Sequence, residues 1–441
     1  MINLKESQYN IFIPYKNKTL IFNTLNSCFI EIDNNIKQVI KNIHDSNENF
    51  LNEYKQVISV LKSCGIIIDD NIDEIDILRK EKQTNRDFDR NFEFTIAPTL
   101  QCNFKCSYCY EKRMSACMTS NIIDLICQKI KQVAEKKKNI VVNWFGGEPL
   151  LVKNIIVNIS TRIIEICKLF NVEYTARMVT NGYLLDDKTI NMLKSLNINA
   201  IQITIDGPPN IHNFRRPLKN KKKETFQTIL NNVKQAQKAG MEIKIRINID
   251  KTNSFGVEKL LEIFAKNDLH DCSFNLGHIK SYTNTCKSCE NTVLSIQEYA
   301  IYMVNLEKLL LKHKLRTSKF LSFANTNKFT NYCCADKPNS LVIDPFGNLF
   351  KCWTDIGNSK ASFGNIHTSN DTSTNISSNS KKYIQWDPLN YKKCLKCEVL
   401  PICKGGCPYM GLQLGETECA PWKYNLIDML KLRYDNYEKH N

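Results

Sequence analysis

The chain has no apolar run that approaches the roughly 20 residues needed to cross a bilayer. Its first residues, Met1-Ile2-Asn3-Leu4-Lys5-Glu6, also lack the apolar segment of a secretory signal. The sequence therefore predicts a cytoplasmic protein that is neither exported nor inserted into a membrane.

Aromatic residues are absent from the two lysine-rich runs, Lys136-Lys137-Lys138 and Lys219-Asn220-Lys221-Lys222-Lys223. The formal net charge is +15, but the other cations are dispersed, as is usual for solvated loops and helix ends. Without aromatic side chains to stack on bases, this pattern argues against nucleic-acid binding. A positive surface can still attract an acidic peptide.

Cysteine, in contrast, is abundant, with 19 among the 441 residues. In a small secreted protein such a number would indicate disulfides, but this chain is long enough for two or three domains and its cysteines are spread along it. In a reducing compartment, cysteines in this arrangement indicate metal ligands.

Three of these cysteines lie within eight residues, directly after the apolar run 92–96. Cys102, Cys106 and Cys109 have the spacing C-x3-C-x2-C, with Tyr108 before the last cysteine. Three soft ligands on one loop can hold three irons of a four-iron cluster and leave the fourth iron open. The alternative is three incidental cysteines, which is more plausible for a lone C-x2-C pair than for this spacing.

From Phe92 onward, short apolar strands alternate with amphipathic helical patterns. Six strand-helix units predict parallel strands joined by helices. Six units cannot close an eight-stranded barrel, so we predict an α/β fold built on an open partial (β/α)6 barrel, with its site at the C-terminal ends of the strands. The predicted strands are 92–96, 140–145, 174–180, 200–205, 243–249 and 273–276.

The cysteine loop, followed one strand later by Gly146-Gly147-Glu148, resembles the signature of the radical S-adenosylmethionine (SAM) enzymes. This resemblance implies that Cys102, Cys106 and Cys109 hold a 4Fe–4S cluster whose open iron binds SAM. In such enzymes an electron from the cluster splits SAM, and the resulting 5'-deoxyadenosyl radical abstracts a hydrogen from the substrate. The resemblance also implies an electron donor of the flavodoxin or ferredoxin type.

The same resemblance assigns SAM contacts to the loops after the second, fourth and fifth strands. The two glycines would let the backbone approach the methionine amine, and the Glu148 carboxylate would balance its charge. Thr204 and Arg216 would reach the SAM carboxylate, because a guanidinium can fork two donors onto one carboxylate. We prefer Arg216 to Arg215 because proline follows it. Asn248 is a candidate for the ribose hydroxyls, although an ordinary loop hydrogen bond is the alternative role for these polar residues.

A second cysteine array lies in the last third of the chain. Cys394, Cys397, Cys403 and Cys407 have the spacing C-x2-C-x5-C-x3-C, and Cys419 follows. Upstream, Cys333 and Cys334 precede Cys352, which comes five residues after Gly347. The array resembles the SPASM domain, which in its full form binds two auxiliary 4Fe–4S clusters, making three clusters in all. A structural zinc site is the alternative, since C-x2-C also occurs in zinc ribbons.

By this resemblance, Cys394, Cys397, Cys403 and Cys419 would hold the outer auxiliary cluster. Cys333, Cys352 and Cys407 would hold the inner one. Its fourth ligand is open among Cys334, Cys289 of the pair Cys286-Lys287-Ser288-Cys289, and no protein residue at all. An open position would admit the thiolate of a substrate cysteine.

The first 80 residues have the pattern of a small separate module. Strands at 9–14, 19–22 and 28–32 precede helical patterns at 36–43 and 50–61. This order resembles the winged-helix peptide-recognition element of enzymes that modify ribosomal peptides, which would bind a leader peptide along a sheet edge. An accessory cap on the barrel is the alternative. We therefore predict domains at 1–80, 90–285 (the radical SAM core) and 330–425 (the SPASM domain), and a C-terminal helix at 426–441.

Together these features predict a radical SAM enzyme that modifies a ribosomally made precursor peptide, installing a thioether or another crosslink. A sulfatase-type maturase, which oxidises cysteine or serine to formylglycine, is the nearest alternative. Those enzymes usually carry aspartate directly after the cysteine that here is Cys352, a place taken by Trp353. Asp355, two residues later, is the candidate catalytic residue. An iron–sulfur binding or electron-transfer protein without SAM cleavage is the alternative from another class.

Overall fold

A computed structural model describes residues 3–87, 89–112, 114–219, 224–281, 289–315, 329–368 and 378–439. Lys221, Lys222, Lys223 and Cys286 lie outside the described residues. The strands are β1 Leu4–Glu6, β2 Asn10–Tyr15, β3 Lys18–Asn23, β4 Phe29–Ile32, β5 Ile67–Asp69, β6 Asn91–Ile96, β7 Asn139–Trp144, β8 Glu173–Thr180, β9 Ile198–Thr204, β10 Glu242–Ile249, β11 Ser273–His278, β12 Ser340–Ile343, β13 Asn348–Phe350 and β14 Gly364–Asn365.

The helices follow the same order along the chain. They are α1 Asn34–Asn42, α2 Glu48–Glu53, α3 Lys55–Ser63, α4 Glu74–Asp87, α5 Ser120–Ala134, α6 Lys153–Leu169, α7 Asp187–Ser195, α8 Pro209–Arg215, α9 Phe226–Lys238, α10 Val257–Lys266, α11 Ile296–Lys312, α12 Ser378–Ile384, α13 Lys392–Leu395, α14 Leu400–Cys403, α15 Pro408–Leu414 and α16 Trp422–Glu438. No helix in these described ranges is long and apolar enough to span a membrane.

The chain forms two compact units. The first contains residues 1–88, 318–332 and 386–441, and the second contains residues 89–317 and 333–385. The second unit is built on a nine-stranded sheet of order β11-β10-β9-β8-β7-β6-β12-β13-β14. Strands β6 to β11 are parallel, which confirms the predicted α/β fold with an open partial (β/α)6 barrel.

Alternating side chains explain how these strands are held. In β10, Ile243, Ile245, Ile247 and Ile249 are buried in the main core, while the residues between them are more accessible. Helices α5 and α7 start at the N-cap residues Thr119 and Asp186, whose side chains accept the hydrogen bonds of otherwise unpaired backbone amides. Apolar residues of both helices lie in the same core as the isoleucines of β10.

The first unit contains the antiparallel sheet β2-β3-β4 and the short pair β1-β5. The three predicted strands and the helix after them appear in the predicted order, but the predicted helix at 50–61 is divided into α2 and α3 at Tyr54, and β1 was not predicted. One apolar core joins Ile11, Ile13, Leu20 and Phe22 of β2 and β3 to residues far along the chain. These are Val399, Leu426 and Leu430.

Candidate active site

The C-terminal ends of the parallel strands carry the predicted site residues of the second unit. The loop 102–109 follows β6, Gly146 follows β7, and Thr204 ends β9. The ends of neighbouring strands lie side by side, because Ile96 pairs with Trp144 and Thr204 pairs with Arg246, three residues before the end of β10. The sheet therefore brings these residues to one edge.

Gly146 and Gly147 allow the loop after β7 to lie against the segment that leads into Cys102. The Gly147 and Glu148 amides donate hydrogen bonds to Thr99 O at 3.1 Å and Gln101 O at 2.8 Å. A Cβ atom on Gly146 would overlap Thr99 O, and one on Gly147 would overlap Gln101 O. In the structure, the close approach that these glycines permit is therefore to the cysteine loop itself.

The Glu148 side chain is fully buried and both of its oxygens accept hydrogen bonds from the chain. Oε1 accepts from the Leu150 amide at 3.0 Å and from the Thr180 hydroxyl at 2.7 Å, and Oε2 accepts from the Asn181 amide at 2.8 Å. Burial raises the pKa of this carboxyl, while the hydrogen bonds oppose that rise. Glu148 thus joins the ends of β7 and β8. Its predicted role beside the methionine amine stays a prediction.

Tyr108 anchors the cysteine loop to β9, β10 and α8. Its phenol donates a hydrogen bond to Asp206 Oδ2 and accepts from Arg216 Nη1 at 2.5 Å and Asn248 Nδ2 at 3.2 Å. Burial raises the pKa of this phenol well above its usual value. The hydroxyl stays protonated, so its one donor and two acceptor positions are all filled.

Asp206 is the fully buried centre of this arrangement. Its Oδ1 accepts from the Asn248 amide at 2.9 Å, and its Oδ2 lies 3.9 Å from Arg216 Nη1. His212 accepts from the Asp206 amide through Nδ1 at 3.3 Å, which gives this histidine a structural contact. Asp206 therefore supplies the counter-charge that a buried arginine needs.

The two neighbouring arginines face different partners. Arg215 Nη1 donates to both Asp250 oxygens at 3.0 Å and to Thr252 Oγ1 at 2.6 Å. Arg216 instead faces Tyr108, and its buried Nε has no hydrogen-bond partner among the described residues. The Arg216 Nε is thus a donor available to a ligand at the strand ends.

Backbone hydrogen bonds from the segment after α8 hold the cysteine loop. Lys105 N donates to Pro217 O at 2.8 Å, and Ser107 N donates to Arg215 O at 3.1 Å. Burial raises the pKa of the Cys102 thiol to about 12. Because iron binds the thiolate, loading a metal here must release protons.

Three predicted auxiliary ligands lie near the β12–β13 hairpin of the second unit. The Cys333 and Cys334 thiols are within hydrogen-bonding distance of each other, and Cys352 is close enough to Cys333 for their charges to interact. Buried Lys351 fixes this segment, since its Nζ donates to Ser340 O and Oγ, both at 2.8 Å. Burial lowers the pKa of Lys351 to about 7.

Asp355 follows Cys352 in a short 3₁₀ turn and is buried. Its Oδ2 accepts a hydrogen bond from the Tyr383 hydroxyl at 2.9 Å. Burial raises the pKa of this carboxyl, and the Tyr383 hydrogen bond opposes the rise. The structure thus pairs the candidate catalytic residue with a phenol, while its catalytic role stays a prediction.

The four cysteines predicted for the outer cluster line one cavity in the first unit. The cavity between them is small, about 20 Å³. Gly405 lies beside it and has a positive φ, which lets the chain turn sharply between two of the cysteines. The cysteines are Cys394, Cys397, Cys403 and Cys419.

The two remaining candidate ligands have separate positions. Cys407 is the N-cap residue of α15 in the first unit, and Cys289 Sγ donates to Ser107 O at 3.7 Å, against the loop 102–109. The fourth ligand of the inner cluster therefore stays open. Among the described residues, no three His, Cys, Asp or Glu side chains converge closely enough to hold a single metal ion. A four-iron cluster takes one thiolate per iron and does not require such convergence.

Comparison with known families identifies the core of the chain. Residues 96–263 match the model of the radical SAM superfamily. The protein carries a radical SAM domain. The chain is similar to a sulfatase-maturating enzyme and to an enzyme solved with its precursor peptide.

Two curated relatives illustrate this relationship. The chain is 24% identical over 342 residues to the cysteine-type anaerobic sulfatase-maturating enzyme of Clostridium novyi (strain NT). The match covers 72% of this chain and 88% of the relative. The chain is also 26% identical to the sporulation killing factor maturation protein SkfB of Bacillus subtilis (strain 168), over 38% of each chain.

Solved structures share the fold. Native anSMEcpe with bound AdoMet and Kp18Cys peptide matches with a TM-score of 0.62 and 20% identity, over 78% of this chain and 99% of that one. Streptococcus suis SuiB bound to its precursor peptide SuiA matches with a TM-score of 0.51 and 16% identity, over 95% of this chain and 98% of that one. At these identities the likeness concerns the fold, and it agrees with the open partial barrel.

A radical SAM domain implies SAM and a 4Fe–4S cluster, and the residues present fit both. Three soft thiols on one loop suit iron. The buried, unpartnered Nε of Arg216 suits an anionic group. Thr204 and Asn248 lie at the ends of adjacent strands beside it.

Sequence reasoning gave no role to the phenol of Tyr108 or to Asp206. The sequence did contain a signal for Asp206, because this carboxylate comes two residues after the apolar strand β9, at the edge of the sheet where the site lies. Arg177, Lys244 and Arg246 were also missed. Their signal is the alternation of cations with apolar residues in β8 and β10.

Proposed function

We propose that this radical SAM enzyme modifies a ribosomally synthesised precursor peptide and installs a thioether or another crosslink. The observation that carries the proposal is the cysteine loop at the strand ends of a radical SAM domain, combined with a separate antiparallel sheet at the N-terminus. The likeness to SuiB over 95% of the chain is consistent with this combination.

In the proposed mechanism, Cys102, Cys106 and Cys109 would hold the 4Fe–4S cluster that SAM binds. When bound, the cluster supplies the electron that splits SAM and yields the 5'-deoxyadenosyl radical that abstracts a substrate hydrogen. The polar residues at the strand ends orient SAM by hydrogen bonds to its carboxylate and ribose. These residues are Thr204, Arg216 and Asn248.

We further propose that the cavity lined by Cys394, Cys397, Cys403 and Cys419 holds an auxiliary 4Fe–4S cluster. Four thiols around one cavity support this assignment. A second auxiliary cluster near Cys333 and Cys352 would offer a position to a substrate thiolate. Its proximity to the loop 102–109 is supported by the interaction of the Cys109 and Cys352 charges with the same buried tyrosine, Tyr110.

We infer that the leader of the precursor peptide binds along β4. This strand is at the end of the order β2-β3-β4, so one of its edges can accept a further strand. Beside it is a cavity of about 430 Å³ lined by Phe29, Ile30, Glu31, Arg433, Tyr434 and Tyr437. A flavodoxin- or ferredoxin-type protein would supply the electron.

The test is anaerobic incubation of the reconstituted enzyme with SAM and dithionite. We expect release of 5'-deoxyadenosine, and we expect Cys102→Ala, Cys106→Ala and Cys109→Ala together to abolish it while iron bound elsewhere is retained. No release from fully reconstituted protein would favour an electron-transfer function instead. A cysteine-bearing peptide encoded beside this gene is the substrate to try, with its mass as the readout.

A sulfatase-type maturase is the second candidate, supported by the Clostridium novyi relative. Product chemistry separates the two functions. A thioether crosslink removes hydrogen and retains sulfur, whereas formylglycine formation from cysteine removes the sulfur. Trp353 in place of the usual aspartate counts against the second candidate.

A further inference from the structure

The inner face of the partial barrel carries cations on two of its strands. In β8 and β10 the residues under the helices are buried, among them Met178, Ile243 and Ile245. The alternate residues Arg177, Lys244 and Arg246 therefore point to the opposite, accessible face. In a closed barrel this interior is filled by branched apolar side chains.

Strand register brings these cations together. Arg177 pairs with Ala200 of β9, and Lys244 pairs with Gln202 of the same strand. Arg177 and Lys244 are thus separated only by neutral residues of β9. The axes of β8 and β10 lie about 10 Å apart, which is twice the usual spacing of neighbouring strands. Burial lowers the pKa of Lys244, the nearby charges of Arg246 and Arg177 lower it further, and the charge of Glu242 opposes this fall.

Among the described residues, no carboxylate forms an ion pair with Arg177, Lys244 or Arg246. Glu242 lies on the same face of β10 and, like Arg177, pairs with Ala200 of β9, so it offsets one of the three positive charges. Glu93 on β6 is already engaged, since Oε1 accepts from Asn143 at 2.6 Å and Oε2 lies 4.0 Å from Lys337 Nζ. Three accessible cations with one carboxylate beside them still form a site of net positive potential.

Arg246 is also held in one orientation. Its Nε donates to Asn248 Oδ1 at 2.7 Å. Both side chains occupy space that a Cβ atom on Gly277 of β11 would overlap. Because Asn248 is a predicted SAM contact, this hydrogen bond places the cluster directly next to the reacting end of the sheet.

We propose that Arg177, Lys244 and Arg246 bind a carboxylate of the substrate peptide, namely an acidic side chain close to the residue that is modified. This inference rests on the proposed peptide-modifying function. Lys244 lies four residues before Asn248 on the same strand, a separation of about 13 Å at the usual rise of a strand. An extended peptide covers that distance in about four residues. The acidic residue therefore lies within about four residues of the modified one.

The test uses reconstituted holoenzyme with SAM and without reductant, so that no turnover occurs. The probes are two fluorescently labelled, N-acetylated and C-amidated peptides of Ala, Ser and one Cys that differ only in carrying Glu or Gln. We expect the Glu peptide to bind ~10-fold more tightly by anisotropy, because a carboxylate gains charge-assisted hydrogen bonds. The preference is expected to weaken with added salt.

The variant is Arg177→Gln combined with Lys244→Met, and the matched control is Lys131→Met, an exposed cation on α5. We expect the Glu preference to disappear in the double variant and to persist in the control. Equal affinities for the two peptides in the wild type, including no measurable binding of either, would overturn the proposal. So would an unchanged preference in the double variant.

SAM also carries a carboxylate, and equilibrium dialysis of SAM without peptide separates the two sources. A fall in SAM affinity in the double variant would assign the cations to SAM and overturn the proposal. A wild-type enzyme that fails to release 5'-deoxyadenosine would refute the proposed function, whereas the peptide preference is measured independently of that reaction.

Discussion

At the scale of single residues, the site is a set of buried polar groups that satisfy one another. Tyr108 bridges Asp206, Arg216 and Asn248, and Asp206 receives the Asn248 amide. A buried charge without a partner is costly, so each member holds the others in place. This arrangement fixes the cysteine loop before any ligand binds, which lowers the entropic cost of binding.

Replacing Asp206 tests this arrangement. Asp206→Asn removes the charge that faces Arg216 3.9 Å away and leaves a buried cation uncompensated. We expect a loss of about 3–5 kcal/mol in the free energy of unfolding, and weaker SAM binding. Urea unfolding and equilibrium dialysis measure the two effects. Asp271→Asn, at an exposed position, is the control; wild-type values for Asp206→Asn would refute the structural role.

His278 gives a pH-dependent prediction. Burial lowers its pKa from 6.5 to about 4, while Nε2 donates to Leu294 O at 2.8 Å and the ring stacks on Tyr299. In the unfolded chain the histidine takes up a proton first as the pH falls. The uncharged histidine therefore makes its full contribution to the free energy of unfolding above pH 6.5. This contribution is lost as the pH falls from about 6.5 to 4.

His278→Gln keeps a side-chain donor but cannot ionise. We expect its urea midpoint to fall less between pH 7 and pH 5 than that of the wild type, by up to roughly 2 kcal/mol in unfolding free energy. His44→Gln, at an exposed position, serves as the control. An equal pH dependence in His278→Gln and the wild type would contradict the assignment.

At the scale of elements, the local sequence pattern predicts those features of a strand or helix that depend on neighbouring residues in the chain. The alternation of isoleucines in β10 predicts a strand with one buried face, and the structure has it. The division of a predicted helix at Tyr54 and the pairing of β12 with β6 were not predictable in this way. The first depends on how α2 and α3 pack, and the second joins residues far apart in the chain.

Gly147 offers a prediction about the loop after β7. Gly147→Ala adds a Cβ that overlaps the backbone at Gln101, so the segment before Cys102 must move. We expect a cluster that binds SAM poorly, seen as loss of the spectral response to added SAM under anaerobic conditions. Gly364→Ala is the matched control, because its Cβ would meet only Leu349 at 4.0 Å. A normal SAM response in Gly147→Ala would show that this contact is dispensable.

At the scale of the whole molecule, the spacing of the cysteines indicated which of them lie together, but it carried no information on the packing around them. The SPASM resemblance grouped Cys394, Cys397, Cys403 and Cys419, and these four line one cavity. Cysteine is rarely exchangeable at a metal site, so spacing alone carries the signal. The cations of the inner barrel face belong to three positions on two strands, and only the sheet register brings them together.

The packing of the first unit leads to a last prediction. Residues 1–80 have the pattern of a separate module, yet the core of β2 and β3 includes Leu426 and Leu430 of α16. Deleting the N-terminal residues would expose this core, so point variants are the sharper test of the peptide-binding role.

Leu430→Ala removes a fully buried side chain. We expect it to cost about 2–5 kcal/mol and to lower affinity for a leader peptide. Ile427→Ala, at a position 43% exposed on the same helix, should cost much less. Urea unfolding compares the two variants, and equal losses would show that α16 does not complete this core.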